Sequence, residues 1–252
     1  MKQPKRLKSS RGSHNGSNHA IHNAILLSLP VKESNRVFEK CQVIDLPKQT
    51  VINEIGAPIK FSYFINAGLA SILSVMSSGK SVEVGLVGRE GFVGLPLTAG
   101  FATSPTRAVM QVGGSACRIS AIDLKDCLRN CPALEMALKR FSQTLTLQAT
   151  QVAACNRVHE VDQRLARWLL MSLDRLDGVD VPLTQDSLAS MLGTRRASVT
   201  VAAGILQKAG LITYRRGDVR IDNRTGIEDA SCECYEALKR QNEKWRSEAD
   251  KE

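Results

Sequence analysis

One stretch of this sequence constrains the fold more than any other: LTQDSLASMLGTRRASVTVAAGILQKAGLI, residues 183–212. Thr184 is a good N-cap for a short first helix, and Gly193 ends that helix. Thr194 is predicted to cap a second, amphipathic helix. The positions of that helix predicted to be buried are Val199, Ala202 or Ala203, Ile205 and Leu206. Two helices joined by a short turn that contains glycine form a helix-turn-helix.

The polar residues of the second helix are concentrated in its first turn. In a helix-turn-helix, this turn points into the major groove of DNA. Arginine can pair with guanine through two hydrogen bonds, and free N–H groups at a helix N-terminus attract phosphate. The alternative is an ordinary helical pair with a solvated, charged face. The residues predicted to contact DNA are Thr194, Arg195, Arg196, Ala197, Ser198, Thr200 and Val201.

The segment that follows, GLITYRRGDVRI, is typical of a β-hairpin. Residues 211–214 predict one strand, residues 216–218 a turn, and residues 219–221 a returning strand. A hairpin directly after a helix-turn-helix is a wing. Arg215, Arg216 and Arg220 are therefore expected to contact the flanking DNA backbone, in a way that depends on salt and not on base sequence.

The overall charge agrees with a polyanionic partner, because 34 lysines and arginines against 25 acidic residues give a net charge of +9. Residues 1–35 start with a basic, polar run and are expected to form a disordered tail, with a nonspecific electrostatic arm as the alternative. The chain has no apolar run as long as a membrane span and no segment resembling a secretory signal. It is therefore expected to be cytoplasmic, without a membrane partner. Its 7 scattered cysteines suggest reduced thiols.

The character of the pattern changes at Pro132. Before it, short β-like runs separated by glycines predict an antiparallel sandwich or roll. After it, apolar residues follow a spacing of about three and a half residues, which is typical of a long helix with one apolar stripe. The stripe fits either a core helix on its own sheet or a helix that meets a second copy of the chain. Its residues are Leu134, Leu138, Phe141, Leu145, Gln148, Val152 and Cys155.

Residues 155–170, CNRVHEVDQRLARWLL, and residues 183–221 together resemble the Crp/Fnr family of transcription regulators. The resemblance implies an α+β fold in which an antiparallel, cyclic-nucleotide-binding-like β-roll over 36–131 acts as the sensor. A dimerisation helix over 132–157, a winged helix-turn-helix over 158–226 and a charged helical extension over 227–252 would follow. It also implies a homodimer on a two-fold symmetric DNA site, and RNA polymerase as a further partner. The stripe from Leu134 to Val152 is then expected to be the dimer seam.

The segment GREGFVGLPLTAGFATSPTRAVMQ, residues 88–111, departs from the family's cyclic-nucleotide pocket. Leu95 follows Gly94 where the resemblance implies a glutamate for the ribose. Ser104 and Pro105 stand where it implies an arginine pair for the phosphate, and Arg107 comes too late in the chain. Two charge-assisted bonds are therefore missing, and we expect a degenerate effector pocket that binds neither cyclic AMP nor cyclic GMP.

The recognition turn departs as well. The family's base-contacting positions fall on Arg196, Ala197 and Val201. Ala197 cannot accept a hydrogen bond from cytosine, and Val201 cannot pair with guanine, so the preferred half-site should differ from that of the cyclic-AMP receptor.

The sequence predicts neither a cofactor nor a metal site. Residues 1–40 lack the cysteine cluster of the iron–sulfur members, and the pairs Cys127/Cys131 and Cys232/Cys234 lack nearby third and fourth ligands along the chain. His159 is expected to be structural. No phosphate loop or nucleophile–base pair indicates an enzyme. The sequence therefore predicts a sequence-specific DNA-binding regulator that does not respond to cyclic nucleotides. The alternative is a small-molecule or cyclic-nucleotide binding module whose DNA contact is secondary.

Overall fold

The computed structural model describes residues 20–176, 178, 180–215 and 217–249. They divide into two compact units. The first contains the chain up to Ala70 together with Val87–Ser142, and the second contains Ser71–Leu86 together with the chain from Gln143 onward. Helices and antiparallel strands both contribute, which confirms the predicted α+β class.

The sheet of the roll has the strand order β1-β6-β3-β4, with β2 paired to β6 and β5 paired to β3. Strands β1 and β6 are antiparallel, from Cys41 opposite Ile119 to Leu46 opposite Gly114. A short 3-10 helix, Leu95–Ala99, follows β5. The strands are β1 (Cys41–Leu46), β2 (Val51–Asn53), β3 (Phe61–Val75), β4 (Ser81–Val87), β5 (Phe92–Val93) and β6 (Arg107–Ser120).

Two helices precede the roll, and they correct the expectation of a disordered segment over 1–35. Helix α1 spans Ala24–Ser28 and α2 spans Val31–Lys40. Ile21 and Leu26 are fully buried, so residues 20–35 contribute to the core of the first unit. The remainder of the expected tail, residues 1–19, lies outside the described residues.

Two buried asparagines attach the start of this segment to the roll. The Asn23 side chain donates to the carbonyl oxygens of Ile65 and Gly91 at 2.7 and 2.8 Å, and it accepts from the backbone N–H of Leu26. The Asn66 side chain accepts from the N–H groups of His22 and Asn23 and donates to the Ala20 carbonyl. Because these amides are buried, the loss of any of these hydrogen bonds would lower the stability of the fold.

Helix α3 spans Ala121–Asn130, and the long helix α4 spans Pro132–Val158. The stripe predicted to be the dimer seam is covered by the chain itself. Leu134 and Leu138 are 0% exposed, and a Cβ added to Gly91 would collide with the Phe141 ring. Gln148 and Val152 are also buried and Leu145 is half-buried. The assignment of this stripe to a seam is therefore wrong, and the core-helix alternative accounts for it.

The second unit continues with a three-stranded antiparallel sheet, in the order β7-β9-β8, and five helices among the described residues. None of the described helices is both long and apolar enough to span a bilayer. The elements are α5 (Val161–Leu173), β7 (Asp180–Val181), α6 (Gln185–Met191), α7 (Arg196–Lys208), β8 (Ile212–Arg215), β9 (Asp218–Ile221), α8 (Arg224–Ala230) and α9 (Cys234–Ala249).

A buried carboxylate lies in the core of this second unit. Glu83 of β4 accepts a hydrogen bond from Trp168 Nε1 at 2.7 Å and another from the Ser71 hydroxyl. Burial raises its pKa from 4.5 to about 7, partly opposed by these two bonds and by the positive charges of Arg167 and Arg175. Glu83 therefore ionises near neutral pH inside the folded protein.

Candidate nucleic-acid interface

Helix α6 and the turn that follows it form as the sequence predicts. The Thr184 hydroxyl accepts from the Ser187 N–H at 3.2 Å and caps α6. Gly193 has φ +58°, a left-handed conformation that costs little for glycine, and the next N–H, of Thr194, bonds back to the Ala189 carbonyl at 3.0 Å. The N-cap of α7 is Arg195 and not the predicted Thr194, so the second helix starts one residue later.

Helix α7 buries one face and exposes the other. Val199, Ala202, Ala203 and Leu206 are buried, as predicted. Ile205 is 49% exposed, so the expectation that it is buried is wrong: it lies on the boundary between the two faces. The outward face presents Arg195, Arg196, Ala197, Thr200 and Val201, and Thr194 and Ser198 are half-buried beside it.

Two residues of this outward face contact the first turn of α6. The Thr200 hydroxyl donates to Gln185 Oε1 at 2.8 Å, and Arg196 Nη1 lies 3.5 Å from Asp186 Oδ2. Arg196 and Asp186 are each about two-thirds exposed, so the pair is weak and can be exchanged for a stronger acceptor. Gln185 and Asp186 therefore join the candidate interface, although sequence reasoning missed them. Their place directly after the N-cap Thr184 was the available signal.

A shallow groove runs beside the outward face. Tyr214 lines it; its N–H donates to Gln207 Oε1 at 3.3 Å and its hydroxyl donates to the Leu183 carbonyl at 3.2 Å. Lys208 adds a cation near the C-terminal end of α7. The lining residues are Gln185, Thr200, Ala203, Gly204, Gln207, Lys208 and Tyr214.

Strands β8 and β9 form the predicted wing. Arg215 pairs opposite Asp218, and Thr213 opposite Arg220, across the hairpin. Arg215 is exposed, and Arg220 is 62% exposed with its Nε 3.6 Å from Asp222 Oδ1. Arg216, the third arginine predicted for the wing, lies outside the described residues. The wing thus carries exposed arginines on both strands.

The residues expected to form a degenerate effector pocket lie in the first unit. Gly94, with φ +123°, precedes the half-buried Leu95 at the start of the 3-10 helix. Ser104 is buried and its hydroxyl donates to the Thr106 carbonyl at 2.7 Å, while Pro105 is exposed. Arg107 begins β6, and its Nε lies 3.2 Å from Glu54 Oε2. Its guanidinium is thus paired with a carboxylate.

Comparison with known proteins agrees with this geometry. Residues 163–230, which include most of α5 and all of α6 to α8, match a family described as the Crp-like helix-turn-helix domain. This part of the chain is similar to Crp-like helix-turn-helix domains. No curated protein sequence is significantly similar to the chain.

Several solved structures share the fold over about three quarters of the chain at low identity. FixK2 from Bradyrhizobium japonicum is 15% identical, with a TM-score of 0.66, and the match covers 76% of this chain and 98% of FixK2. CLP, the c-di-GMP responsive global regulator of Xanthomonas campestris, is 19% identical, with a TM-score of 0.63 over 76% and 99%. A CRP-family transcriptional regulator from Thermus thermophilus is 18% identical, with a TM-score of 0.61 over 75% and 96%. The predicted resemblance to Crp/Fnr regulators is confirmed, and the chain has their fold.

The wing of the Crp-like domain gives a prediction about salt. Replacing Arg215 and Arg220 with alanine should weaken binding to all duplexes similarly, because these residues are expected to meet phosphates and not base edges. The slope of log affinity against log salt should become shallower by about two, one for each lost phosphate contact. Fluorescence anisotropy over a salt series measures both effects.

The matched control for the wing removes the same charge elsewhere. Lys244 and Arg246 are exposed on α9, and replacing both with alanine should leave the salt slope close to that of the wild type. Equal slopes for the wing variant and the wild type would contradict the assignment of the wing to the DNA backbone.

Proposed function

We propose that this protein is a sequence-specific DNA-binding transcription regulator of the Crp/Fnr type. It binds a two-fold symmetric operator as a cytoplasmic homodimer and acts as a regulator, not as an enzyme. The observation that carries the proposal is the first turn of α7, which presents Arg195 and Arg196 to solvent within a Crp-like helix-turn-helix domain. RNA polymerase is the further partner that such a regulator requires if it activates transcription.

The residues on the outward face of α7 suggest what this domain reads. Arg196 can exchange Asp186 for the O6 and N7 atoms of guanine, a bidentate contact. Ala197 is exposed and Val201 is 65% exposed, so both present apolar surface where a hydrogen bond is impossible. Apolar side chains at such positions contact the methyl group of thymine. We infer a half-site that contains a guanine for Arg196 and, beside it, adenine–thymine base pairs whose thymine methyl groups meet Ala197 and Val201.

The amide of Gln185 is a candidate for positioning the helix. It accepts from the Thr200 hydroxyl through its oxygen, which leaves its nitrogen to donate to a phosphate or a base. In a helix-turn-helix the first helix crosses the DNA backbone, so a phosphate is the better match for a residue at the start of α6.

A homodimer needs a self-complementary surface, and α4 offers one on the side away from its buried stripe. Leu147 is half-buried and Ala154 is exposed, and Met136 and Val158 are 47% and 69% exposed near the helix ends. Along the helix these four apolar residues return to one side, as expected for a seam that meets its own copy. The outward stripe of Met136, Leu147, Ala154 and Val158 is therefore our proposed dimer contact.

A regulator of this type does not require cyclic AMP or cyclic GMP as its effector. Leu95 and Ser104 bring no charge to the pocket positions, and Arg107 is engaged by Glu54. Ser104 has no charge with which to hold a nucleotide phosphate, and Leu95 cannot accept a hydrogen bond from a ribose hydroxyl. The alternative of a nucleotide-binding module with secondary DNA contact is thus less well supported than DNA binding as the main function.

The proposal is tested by replacing Arg196 with alanine. An operator is first selected from random duplexes with the wild-type protein. The variant should then lose about 1–3 kcal/mol of binding free energy on that operator, because a bidentate guanine contact is removed. Its affinity for a random duplex at the same salt should change far less. Electrophoretic mobility shift on both duplexes measures the difference.

Arg246→Ala is the matched control, since it removes one exposed arginine of the same unit from outside the interface. It should bind the operator like the wild type. If the wild type and Arg196→Ala each bind operator and random DNA with equal affinity, the proposed sequence-specific function is refuted.

A further inference from the structure

Three cysteines and one histidine meet in the second unit, far from the recognition helix in sequence. Cys155 lies in the last turn of α4 and His159 directly after it, while Cys232 and Cys234 lie at the junction of α8 and α9. Their ligand atoms all fall within 4.8 Å of one another. The expectation that Cys232 and Cys234 lack a third and a fourth ligand is therefore wrong, because folding supplies both from the end of α4.

Two distances within this cluster match those between ligands of one tetrahedral metal ion, and the remaining ones are within 4.8 Å. Cys155 Sγ lies 3.5 Å from Cys232 Sγ, and Cys234 Sγ lies 3.6 Å from His159 Nδ1. Ligands bound to zinc at about 2.0–2.3 Å in a tetrahedron are separated by roughly 3.4–3.8 Å. Small movements of the four side chains would therefore place one ion at equal reach of all of them.

The groups around the cluster orient the ligands as they do in known metal sites. The His159 ring directs Nδ1 toward Cys234, and its Nε2 lies 2.9 Å from Glu233 Oε2. A carboxylate on the second ring nitrogen fixes the tautomer of a metal-binding histidine and makes it a stronger ligand. Gln151 Nε2 donates to Cys234 Sγ at 3.0 Å, the kind of hydrogen bond that stabilises a thiolate.

Burial and charge also favour an ion. The three cysteines are at most 3% exposed, and His159 is 13% exposed. Three thiolates and one divalent cation carry a net negative charge, and the positive charges of Arg164 and Arg167 act on the Cys155 thiol from α5. Both arginines are buried, so their charges are little screened by solvent.

We propose that Cys155, His159, Cys232 and Cys234 bind one zinc ion in a closed Cys3His site. The protein supplies all four ligands, so the site has no open position for a substrate and is structural. It joins the end of α4 to the segment between α8 and α9. Soft thiolates with one imidazole select zinc over the hard cations magnesium and calcium.

The other two buried cysteines that are close in sequence provide a matched comparison. Cys127 and Cys131 are 0% exposed in the first unit, like the cluster cysteines, yet they do not belong to any group of three or more ligand atoms among the described residues. Replacing Cys127 and Cys131 therefore shows what the loss of buried thiols does when no proposed metal ligand is removed.

The test uses the full chain, purified under reducing conditions without chelator. Elemental analysis should find about one zinc per chain, as for a closed four-ligand site. After zinc is replaced by cobalt, the visible spectrum should show the intense bands of tetrahedral thiolate coordination. This measurement on the wild-type protein does not depend on a variant that folds.

Variants then assign the ligands. Cys232→Ser and Cys234→Ser should lose most of the bound zinc, whereas the Cys127→Ser/Cys131→Ser double variant should keep it. His159→Ala should lower zinc content, and His159→Cys should restore it, because four cysteines are also a zinc site. A residue with only a packing role would not show this rescue.

Three results would overturn the proposal. The first is wild-type protein without zinc and without cobalt–thiolate bands. The second is zinc retained by both Cys232→Ser and Cys234→Ser, which would indicate binding elsewhere, such as at the histidines of residues 14 and 19. The third is a Cys155–Cys232 disulfide found by mass spectrometry in protein prepared without oxidant, since the cluster would then be a redox pair. None of these results bears on whether the protein binds DNA.

Discussion

Replacing Leu147 and Ala154 with glutamate should convert the protein to a monomer and weaken operator binding by about 100-fold or more. Both residues lie on the outward stripe of α4, our proposed dimer contact. The glutamates of the two chains would be brought together in the seam, and like charges in a desolvated contact cost several kcal/mol. Each monomer would then hold a single half-site.

The size of the effect on DNA follows from the two-fold operator. When two recognition helices are joined in a dimer, the second binds at a high effective concentration, which increases affinity by about 100- to 10,000-fold over a single domain. Loss of the dimer removes that gain, while the recognition turn at Arg195 and Arg196 is unchanged. Binding to an isolated half-site should therefore persist at the affinity of one domain.

Sedimentation velocity measures the mass and fluorescence anisotropy measures operator binding. The control shifts both glutamates by one position along the same helix, to the exposed Thr146 and Ala153, which turns them away from the stripe. This control adds the same charge, and it should remain dimeric and bind normally. A Leu147→Glu/Ala154→Glu protein that sediments as a dimer would show that the seam lies elsewhere.

Glu83→Gln should make the stability of the second unit much less dependent on pH. The Glu83 carboxyl has a pKa of about 7 in the folded protein, against 4.5 ordinarily, because it is buried. Well below pH 4.5 the Glu83 carboxyl is protonated in both the folded and the unfolded state, so its raised pKa does not lower the free energy of unfolding there. As the pH rises, the unfolded chain ionises first, so the wild type loses stability between these two pKa values and the loss is complete above about pH 7.

The loss in free energy of unfolding is on the order of 3 kcal/mol, from the difference between the two pKa values. Glutamine keeps an acceptor for Trp168 Nε1 and can bond to the Ser71 hydroxyl, but it does not ionise. Glu83→Gln should therefore resemble the wild type at about pH 4, below the unfolded pKa, and be more stable at about pH 8.

Urea titrations at these two pH values measure the difference. Trp168 and Trp245 are the only tryptophans and both lie in the second unit, so their fluorescence follows that unit. Glu248→Gln is the control because Glu248 is an exposed carboxylate of the same unit. If the stability difference between Glu83→Gln and the wild type is the same at both pH values, the pKa of Glu83 is not raised in the folded state.

The helix-turn-helix could be predicted closely because its signals are local. Thr184 caps α6 through the residue three positions later, and Gly193 forms the turn through its own backbone. Such contacts involve neighbours in sequence, where residue type and spacing determine the structure. The boundary error at Arg195 and the exposure of Ile205 are small displacements on a correctly predicted helix.

The long helix shows where periodicity stops being informative. The spacing from Leu134 to Val152 identifies an apolar stripe, but the same spacing suits a stripe covered by the chain itself or by a second chain. The glycine at position 91 allows Phe141 to pack against the roll, and that contact is not visible from the helix alone. The seam is thus better sought among residues that the fold leaves partly exposed.

The cysteine cluster and the Glu83 site could not have been found from local patterns. Cys155 and Cys232 are separated by 77 positions, and Glu83 and Trp168 by 85. Only the packed fold brings such residues together. The segment 20–35 is different, since Ile21, Ile25 and Leu26 provide an apolar signal that the polar residues before them obscured.

The two buried asparagines near the start of the described chain show how the segment before the first strand is held in the first unit. Asn66 lies within β3, yet its amide is satisfied by the backbone of Ala20, His22 and Asn23. A shortened protein that starts at residue 20 retains every one of these partners. One that starts at Ala24 loses all three, which leaves the buried Asn66 amide without these hydrogen bonds. The segment from Ala20 to Asn23, which precedes the first strand, is therefore an integral part of the folded first unit.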